Sequence, residues 1–391
     1  MTPSSSSPAH FQSGGPLPIP VVLTIAGSDS SGGAGIQADL KTISALGGYG
    51  CVAITAVTAQ NTRGVDAVEY MSPGLVAQQI QSVADDYPID AIKIGMVGSS
   101  SIADAIVAEL TALSFAGPVV WDPVMVASSG SSLIDDETTA TSGFVDLARR
   151  ADALTPNGRE LVGLCDMAGV AVPATLRKHL DVIDSQGSDD SQGSDSGGPG
   201  ASAAGGGGNA QSTSNGENSV SNNNVGNEEE SPVDSSALTS AIVEAASALS
   251  EALGTVIVVT GGPDNGFGDD GPKVTEVVAD REQTALLSHD RVATTNTHGT
   301  GCTFSSALAT FAARRVHQAG TSLNSGTHPE VSACDWRAAV HDAATWTRRA
   351  LVVADTLDFA IGLHRNRDSS GTPEPAHVNG NAPLDHFWDH R

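Results

Sequence analysis

The densest chemistry in the chain lies in Asn296-Thr297-His298-Gly299-Thr300-Gly301-Cys302-Thr303. It runs directly into an apolar, helix-patterned segment, Phe304–Ala313. Gly299 and Gly301 permit a tight turn with its amides pointing inward. The helix that follows aims its positive end at the same place. That arrangement suits a phosphoryl group in transfer. Cys302, beside the turn, has two readings. One is a small buried residue at a helix start. The other is a general base, because a helix N-terminus lowers a thiol pKa and favours the thiolate.

The elements that must carry this turn alternate between strand and helix. Val21–Ala26 is a continuous apolar run ending in Gly27, as in a strand buried on both faces. Ala34–Leu46 has helical spacing, with Ile36, Leu40, Ile43 and Leu46 on one side. Cys51–Val57 reads as the next strand and Leu75–Val83 as a helix. Ala91–Ile94 ends at Gly95, Val119–Trp121 at Asp122, and Ala153–Leu154 at Thr155-Pro156-Asn157. Helices fall at Ile102–Leu110, Phe144–Arg149 and Leu238–Leu253. Thr255–Thr260 is a further strand, and Val274–Val278 with Thr284–Leu287 forms an antiparallel edge pair. Phe304–Ala313 and Trp336–Val353 close the pattern as helices. Such alternation means an α/β fold: a mostly parallel central sheet with helices on both faces. Ligands then bind at the carboxyl ends of the strands.

Composition narrows the class. The 391 residues are 39% hydrophobic, enough for a real core, and the formal net charge is -26. That charge argues against nucleic acid and against anionic membranes. No apolar run reaches the roughly 18 residues of a membrane span. The four cysteines, Cys51, Cys165, Cys302 and Cys334, form no CxxC pair, so neither a disulfide framework nor a zinc site is expected. Residues 1–19 are rich in Ser and Pro and lack the pattern of a secretory signal. The cytoplasm is the expected compartment. Residues 184–236 hold nine acidic groups, no Lys or Arg, and a four-glycine run at 205–208. Such a stretch cannot offset its ordering entropy. It reads as a disordered insertion within one domain rather than a linker between two, because the pieces on either side continue one alternating pattern.

Several stretches now match a known family in order. Ala26-Gly27-Ser28-Asp29-Ser30-Ser31-Gly32-Gly33-Ala34-Gly35-Ile36-Gln37-Ala38-Asp39 resembles the opening signature of the hydroxymethylpyrimidine/phosphomethylpyrimidine kinases. These are thiamine-biosynthesis members of the ribokinase superfamily. Thr55–Thr62, Lys93-Ile94-Gly95-Met96, Asp122-Pro123-Val124-Met125, Thr155-Pro156-Asn157 with Glu160, and His298–Cys302 follow. The likeness covers about residues 20–183 and 237–363, with a short echo at Ala382–Phe387. It implies one ribokinase-like domain over 20–363, interrupted at 184–236 and followed by a tail, 364–391.

The resemblance also implies roles. Cys302 would be the base, with Gly299, Thr300 and Gly301 stabilising the transferred phosphoryl group. Gln60 would pair with the pyrimidine, since a carboxamide complements a 4-aminopyrimidine edge. Gly27, Ala34, Met96 and Val124 would surround that ring. Met96 reads equally as ordinary core. Asp39 would face the substrate hydroxyl or simply sit on its helix. Asn157, Thr260 and Gly262 would face the nucleotide, and Glu160 with Asp122 would hold Mg2+, partly through water. An Asn-x-x-Glu spacing alone is also an ordinary helix start, and Asp122 alone an ordinary Asp-Pro turn. Thr260 stands where the family commonly has lysine, so it supplies a hydroxyl in place of a charge.

The activity so implied is transfer of the γ-phosphoryl of ATP to 4-amino-5-hydroxymethyl-2-methylpyrimidine and then to its monophosphate. A pyridoxine or pyridoxal kinase is the alternative within the superfamily, and a pyrimidine-binding regulator the alternative outside it. Relatives are often homodimers, so a homodimer is the assembly the resemblance implies.

Overall fold

A computed structural model of the chain describes residues 19–62, 64–125, 142–189, 235–261, 272–294, 297–318 and 334–354. In β1 (Val21–Ala26), Leu23 and Ile25 pack to one face and Val22 to the other. All three are fully buried. A strand with no solvent side belongs in a parallel sheet between helical layers. β1 pairs in parallel with β2 (Tyr49–Ile54). The chain then leaves the sheet, and β3 (Ala56–Asn61) and β4 (Gly64–Tyr70) form a separate antiparallel hairpin. β5 (Ala91–Ile94) returns to the other side of β1. β6 (Val119–Trp121), β7 (Ala153–Leu154) and β8 (Val256–Val259) extend the parallel order. β9 (Lys273–Ala279) and β10 (Thr284–Asp290) close that edge antiparallel, as the sequence pattern anticipates. The order across the sheet is β10-β9-β8-β7-β6-β5-β1-β2.

Helices cover both faces. α1 (Gly35–Ala45), α8 (Thr300–Gln318) and α9 (Trp336–Ala354) lie on the side of Val22, Val120 and Val258. α2 (Pro73–Ala84), α3 (Ser100–Ala112), α4 (Ser142–Arg150), α5 (Gly158–Ala168), α6 (Ala174–Asp189) and α7 (Ser235–Leu253) lie on the side of Leu23, Trp121 and Ile257. The architecture is the expected one.

Two details differ from the sequence pattern. Cys51–Val57 is not one strand, because the chain breaks at Thr55. Its N–H donates to Ala26 O at 3.0 Å and its hydroxyl to Met96 O at 2.6 Å. Both bonds pin Thr55 across the ends of β1 and β5, so the backbone turns outward into the hairpin. The helical register of α6 also runs through Asp189, into the stretch read as insertion, while α7 starts at Ser235. Extending a formed helix is cheap once its first turn exists. The expected N-terminal extension through residue 18, insertion residues 190–234 and the tail lie outside the described residues.

At the opposite end of the sheet from the site, Asp152 ties three strands together. Val119 N–H donates to its Oδ2 at 2.8 Å, and Val256 N–H to its carbonyl at 3.0 Å. Burial pushes its carboxyl from 3.8 up to about 6, against the pull of Val119 N–H and the Arg150 charge. Raised in the folded state, the group contributes stability below the unfolded value and loses it as pH climbs through about 6. Asp152→Asn keeps an acceptor for Val119 and removes the titration. It should gain on the parent chain by about 1–3 kcal/mol between about pH 4 and pH 7. Urea unfolding at several pH values measures this, and a pH-independent difference would mean that Asp152 titrates normally.

Candidate active site

The loop after β1 and the turn before α8 are pressed together. Gly299 has φ +83°, and a Cβ there would lie 1.9 Å from Gly33 O. Only glycine fits that approach. Asp29 organises the loop from below. Its carboxylate accepts from the backbone N–H of Ser31 (2.8 Å), Gly33 (3.0 Å) and Ala34 (2.8 Å), and from the Ser31 hydroxyl. His298 Nε2 lies 2.9 Å from Asp29 Oδ2, and both side chains are buried. Burial opposes the Asp29 charge, yet hydrogen bonds from His298, Ser31 and Ala34 outweigh it and hold the carboxyl well below its usual range. From the outer side, Lys41 Nζ donates to Gly32 O at 2.6 Å.

This clasp brings the N-termini of α1 and α8 to one point. Cys302, half-buried in the first turn of α8, receives a hydrogen bond from Gly35 N–H, the first residue of α1. Burial opposes the thiolate that the helix start favours. Burial pushes the Cys302 thiol up to about 12. Lys93 pulls it down, Asp39 and Asp122 push it further up, and Gly35 N–H pulls it down. Burial, with two buried carboxylates adding to it, thus offsets the helix ends that the sequence argument relied on.

Asp122 follows β6 and faces the turn, with its Oδ2 3.6 Å from where a Cβ on Gly301 would sit. Thr155 and Ser305 hydroxyls donate to it at 3.3 and 3.2 Å. Burial raises its pKa; Lys93 opposes that and Asp39 adds to it. Asn157 and Glu160 form a reciprocal cap on α5. Glu160 N–H donates to Asn157 Oδ1, and Asn157 N–H to Glu160 Oε2, both at 2.9 Å. Burial pushes the Glu160 carboxyl up to about 8, and the nearby Asp122 charge adds to the rise. The helix-start reading of Asn157 and Glu160 is therefore realised, and the pair also stands beside Asp122. Thr260 N–H donates to Pro156 O at 3.0 Å, which sets Thr260 next to Asn157. Gly262 lies outside the described residues. Among the described residues, no group of three or more His, Cys, Asp or Glu side chains is placed to hold a metal.

Asp39 needs a correction. It has no exposed surface and cannot reach a substrate hydroxyl. Thr24 Oγ1 (2.6 Å), Lys93 Nζ (2.8 and 3.0 Å) and Ser306 Oγ (2.7 Å) all donate to it. Burial disfavours the Lys93 charge, but Asp39, Cys302 and Asp122 overcompensate and raise its pKa.

The residues expected around a pyrimidine gather at the hairpin. Met96 and Ala56 form a small apolar cluster with Val65, Val68, Tyr70 and Val124. Gly27 borders it; a Cβ there would meet Met96 Sδ at 3.2 Å. Ala34 caps α1 beside Gly299. Gln60 sits at a bulge in β3, opposite Val65, and its Oε1 accepts from Thr58 Oγ1 at 3.3 Å. The Thr58 hydroxyl also lies 2.7 Å from Ser28 O, so the hairpin is stitched to the Asp29 loop.

Sequence reasoning left Asp29, His298 and Lys93 without roles. A signal existed for Lys93: it is a lone charge inside the apolar strand Ala91-Ile92-Lys93-Ile94. Asp29 followed by Ser-Ser-Gly-Gly is a turn signal. His298 had no signal separable from its motif.

Known proteins show the family of the chain. A family model described as phosphomethylpyrimidine kinase matches residues 29–189 and 232–327. The chain is similar to the hydroxymethylpyrimidine/phosphomethylpyrimidine kinase of Escherichia coli, 32% identical over 341 residues, covering 87% of this chain and 94% of that protein. It is also similar to the thiamine biosynthesis multifunctional protein ThiED of Corynebacterium efficiens, 32% identical over 377 residues. That match covers 94% of this chain, which spans only 38% of the multifunctional protein's length. In fold, it resembles the pyridoxal kinase from Staphylococcus aureus solved with AMP-PCP and pyridoxal (TM-score 0.56, 22% identity, 96% of each chain). By the family model and the extent of the bacterial match, the chain belongs to the phosphomethylpyrimidine kinase family.

Proposed function

We propose that this chain phosphorylates 4-amino-5-hydroxymethyl-2-methylpyrimidine from ATP, and then its monophosphate to the diphosphate, in thiamine biosynthesis. The names of the E. coli and C. efficiens relatives support the activity and the pathway. One observation carries the reading in the structure itself. The thiol of Cys302 lies where the N-termini of α1 and α8 converge, beside a turn that only Gly299 can make. A thiolate there, its own proton given up to solvent first, can take a proton from an alcohol while inward amides receive a developing negative charge.

In this reading Gly299, Thr300 and Gly301 stabilise the phosphoryl group in transfer, and Cys302 is the base. Gln60, Gly27, Ala34, Met96 and Val124 hold the pyrimidine, while Asn157, Thr260 and Gly262 face the nucleotide. Asp122 and Glu160 are oxygen donors that repel one another, a set that fits a divalent cation. Mg2+ held there, partly through water, would supply positive charge to the nucleotide phosphates and relieve that repulsion. The chain's own part is to keep both carboxylates dry and fixed, through Thr155, Ser305 and the Asn157 cap. Neutralising Asp122 also removes one of the charges that hold the Cys302 thiol up.

We further read the chain as a single kinase domain over 20–363, with the 184–236 stretch an insertion. The gap in the family match, between 189 and 232, supports that reading. Among the described residues no helix is long and apolar enough to cross a membrane, in keeping with a cytoplasmic enzyme. A homodimer is proposed on family likeness.

A coupled ADP-release assay tests the function directly. Turnover with hydroxymethylpyrimidine and its monophosphate is expected, with pyridoxine far slower; faster turnover of pyridoxine would reassign the substrate. Gln60→Glu removes the amide donor facing a ring nitrogen. An unpaired buried acceptor costs about 1–3 kcal/mol. The Michaelis constant for the pyrimidine should therefore rise roughly tenfold or more, with ATP affinity little changed; equal losses for both ligands would contradict the assignment. Cys302→Ala separates the two steps. The first acceptor is an alcohol whose proton must leave, and a base typically contributes about 10²- to 10⁴-fold. The second acceptor is a phosphate oxygen already ionised near neutral pH. The substitution should slow the first phosphorylation far more than the second. Equal slowing, measured by separate turnover on the two acceptors, would leave Cys302 without a base role.

A further inference from the structure

The acceptor of the second phosphorylation carries a charge of about −1.5 to −2 near neutral pH, and the alcohol before it carries none. The ring contacts proposed above serve both acceptors alike. Backbone amides orient toward an added phosphate but bring no net charge. Of the elements that frame the clasp, β5 and α1 each carry one lysine. Lys93, on β5, is fully buried and holds both oxygens of Asp39, at 2.8 and 3.0 Å. Lys41, on α1, is half-buried, and its one hydrogen bond among the described residues goes to Gly32 O at 2.6 Å. Side chains on a helix lean toward its N-terminus, and that direction carries Lys41 Nζ back to the loop before α1. Gly32 neighbours Gly33, whose carbonyl lies against Gly299. The same loop is joined to the hairpin of Gln60: the Ser30 hydroxyl donates to Thr58 O and the Thr58 hydroxyl to Ser28 O. β1, which leads into this loop, and β7, which leads to Asn157, are separated by β5 and β6, about 14 Å at the usual strand spacing. Lys41 therefore stands on the acceptor side of the site, away from the residues assigned to the nucleotide.

We infer that Lys41 is the specificity residue for the second acceptor, its ammonium meeting the phosphate of a monophosphate held by the same ring contacts. The inference rests on the proposed function. Stability gives no reason for the placement. A cation supports a helix at its last turn, and this one is held beside the first. Burial lowers the Lys41 pKa, and the Asp29 charge opposes that. Yet among the described residues Lys41 forms no salt bridge, because the Asp29 oxygens are taken by His298, Ser31, Gly33 and Ala34. An ammonium has three donors. One holds Gly32 O, which leaves two for phosphate oxygens. Lysine binds phosphate as a point charge, so the contact tolerates the different positions of a monophosphate before transfer and a diphosphate after it. The alcohol offers no such charge, so Lys41 acts on the second acceptor and not on the first.

Calorimetry on the full-length chain tests this without turnover. The parent, Lys41→Met, Lys41→Gln and Lys41→Arg are each titrated with the alcohol, with its monophosphate, and separately with ATP and Mg2+. Lys41→Met and Lys41→Gln should weaken the monophosphate at least roughly tenfold, the loss of a hydrogen bond to a charged group. Both should leave the alcohol and ATP within about threefold of the parent. Lys41→Arg keeps the charge and should hold the monophosphate within about threefold. Lys41→Gln keeps a donor for Gly32 O, and it carries the test if Lys41→Met does not fold. Equal losses for the two acceptors would make Lys41 a support of the loop and overturn the inference. An unchanged monophosphate constant, or a loss greatest for ATP, would overturn it as well. Parent turnover reads the proposed function separately. A parent that binds both acceptors and phosphorylates neither fails that function and leaves the binding ratios to decide on Lys41. A parent that phosphorylates both, with unchanged ratios in the variants, fails the inference alone. A parent that does not bind the monophosphate overturns both.

Discussion

The approach of Gly299 to Gly33 O governs the rest of the site. Two segments some 266 residues apart in the chain meet backbone to backbone, and each leads into a helix N-terminus. Bringing two such ends together concentrates positive potential and leaves amides without helical partners. A buried carboxylate answers both problems. Asp29 accepts three backbone N–H groups and the His298 ring, and its charge is favoured there despite burial. Remove the glycine contact and neither His298 nor the first turn of α8 has a fixed place. The geometry of this junction is thus a consequence of one tight crossing, stabilised by one charge.

Burial, and after it a second layer of carboxylates, sets Cys302 against the simple rule for thiols at helix starts. The dipoles of α1 and α8 favour a thiolate, but Asp39 and Asp122 stand within reach and disfavour it. Asp39 is largely answered by Lys93, Thr24 and Ser306. Among the described residues, Asp122 accepts from the hydroxyls of Thr155 and Ser305 and feels the Lys93 charge, and it shares its neighbourhood with Glu160. Burial and their mutual repulsion therefore push both carboxyls toward the protonated form, Glu160 up to about 8.

Much of this was legible in the sequence. The strands Val21–Ala26, Ala91–Ile94, Val119–Trp121 and Ala153–Leu154 fall where apolar runs end in Gly, Asp or Thr-Pro. Burial on both faces makes such runs unambiguous. The β3–β4 hairpin was not legible, because it lies outside the sheet and alternates polar residues such as Asp66 and Glu69 with small ones. The break at Thr55 depends on hydrogen bonds to Ala26 and Met96, and no local propensity encodes them. Gly27, Met96 and Val124, which sequence placed around one ring, are neighbours in the fold, since all follow strand ends. It left Asp39 open between two readings, because a helical position is compatible with either a solvent or a core face until Lys93 is placed opposite it.

The hairpin and the glycine turn divide the proposed work along a physical line. Ring recognition needs shape and a few neutral hydrogen bonds, and the Met96–Val124 cluster with Gln60 offers those on an element held by Thr58 and Ser28. Phosphoryl transfer needs fixed charges and rigid amides, and the α1–α8 junction offers those in the core. An acceptor that grows from alcohol to monophosphate changes its charge but keeps its ring. A site built this way can hold both acceptors by the same ring contacts and meet the added charge with amides that are already oriented. The base then matters only while there is a hydroxyl proton to remove. Burial keeps the Cys302 thiol protonated, so it must lose its own proton before it can serve as that base, and until then its reactivity toward oxidants stays low with its thiolate fraction.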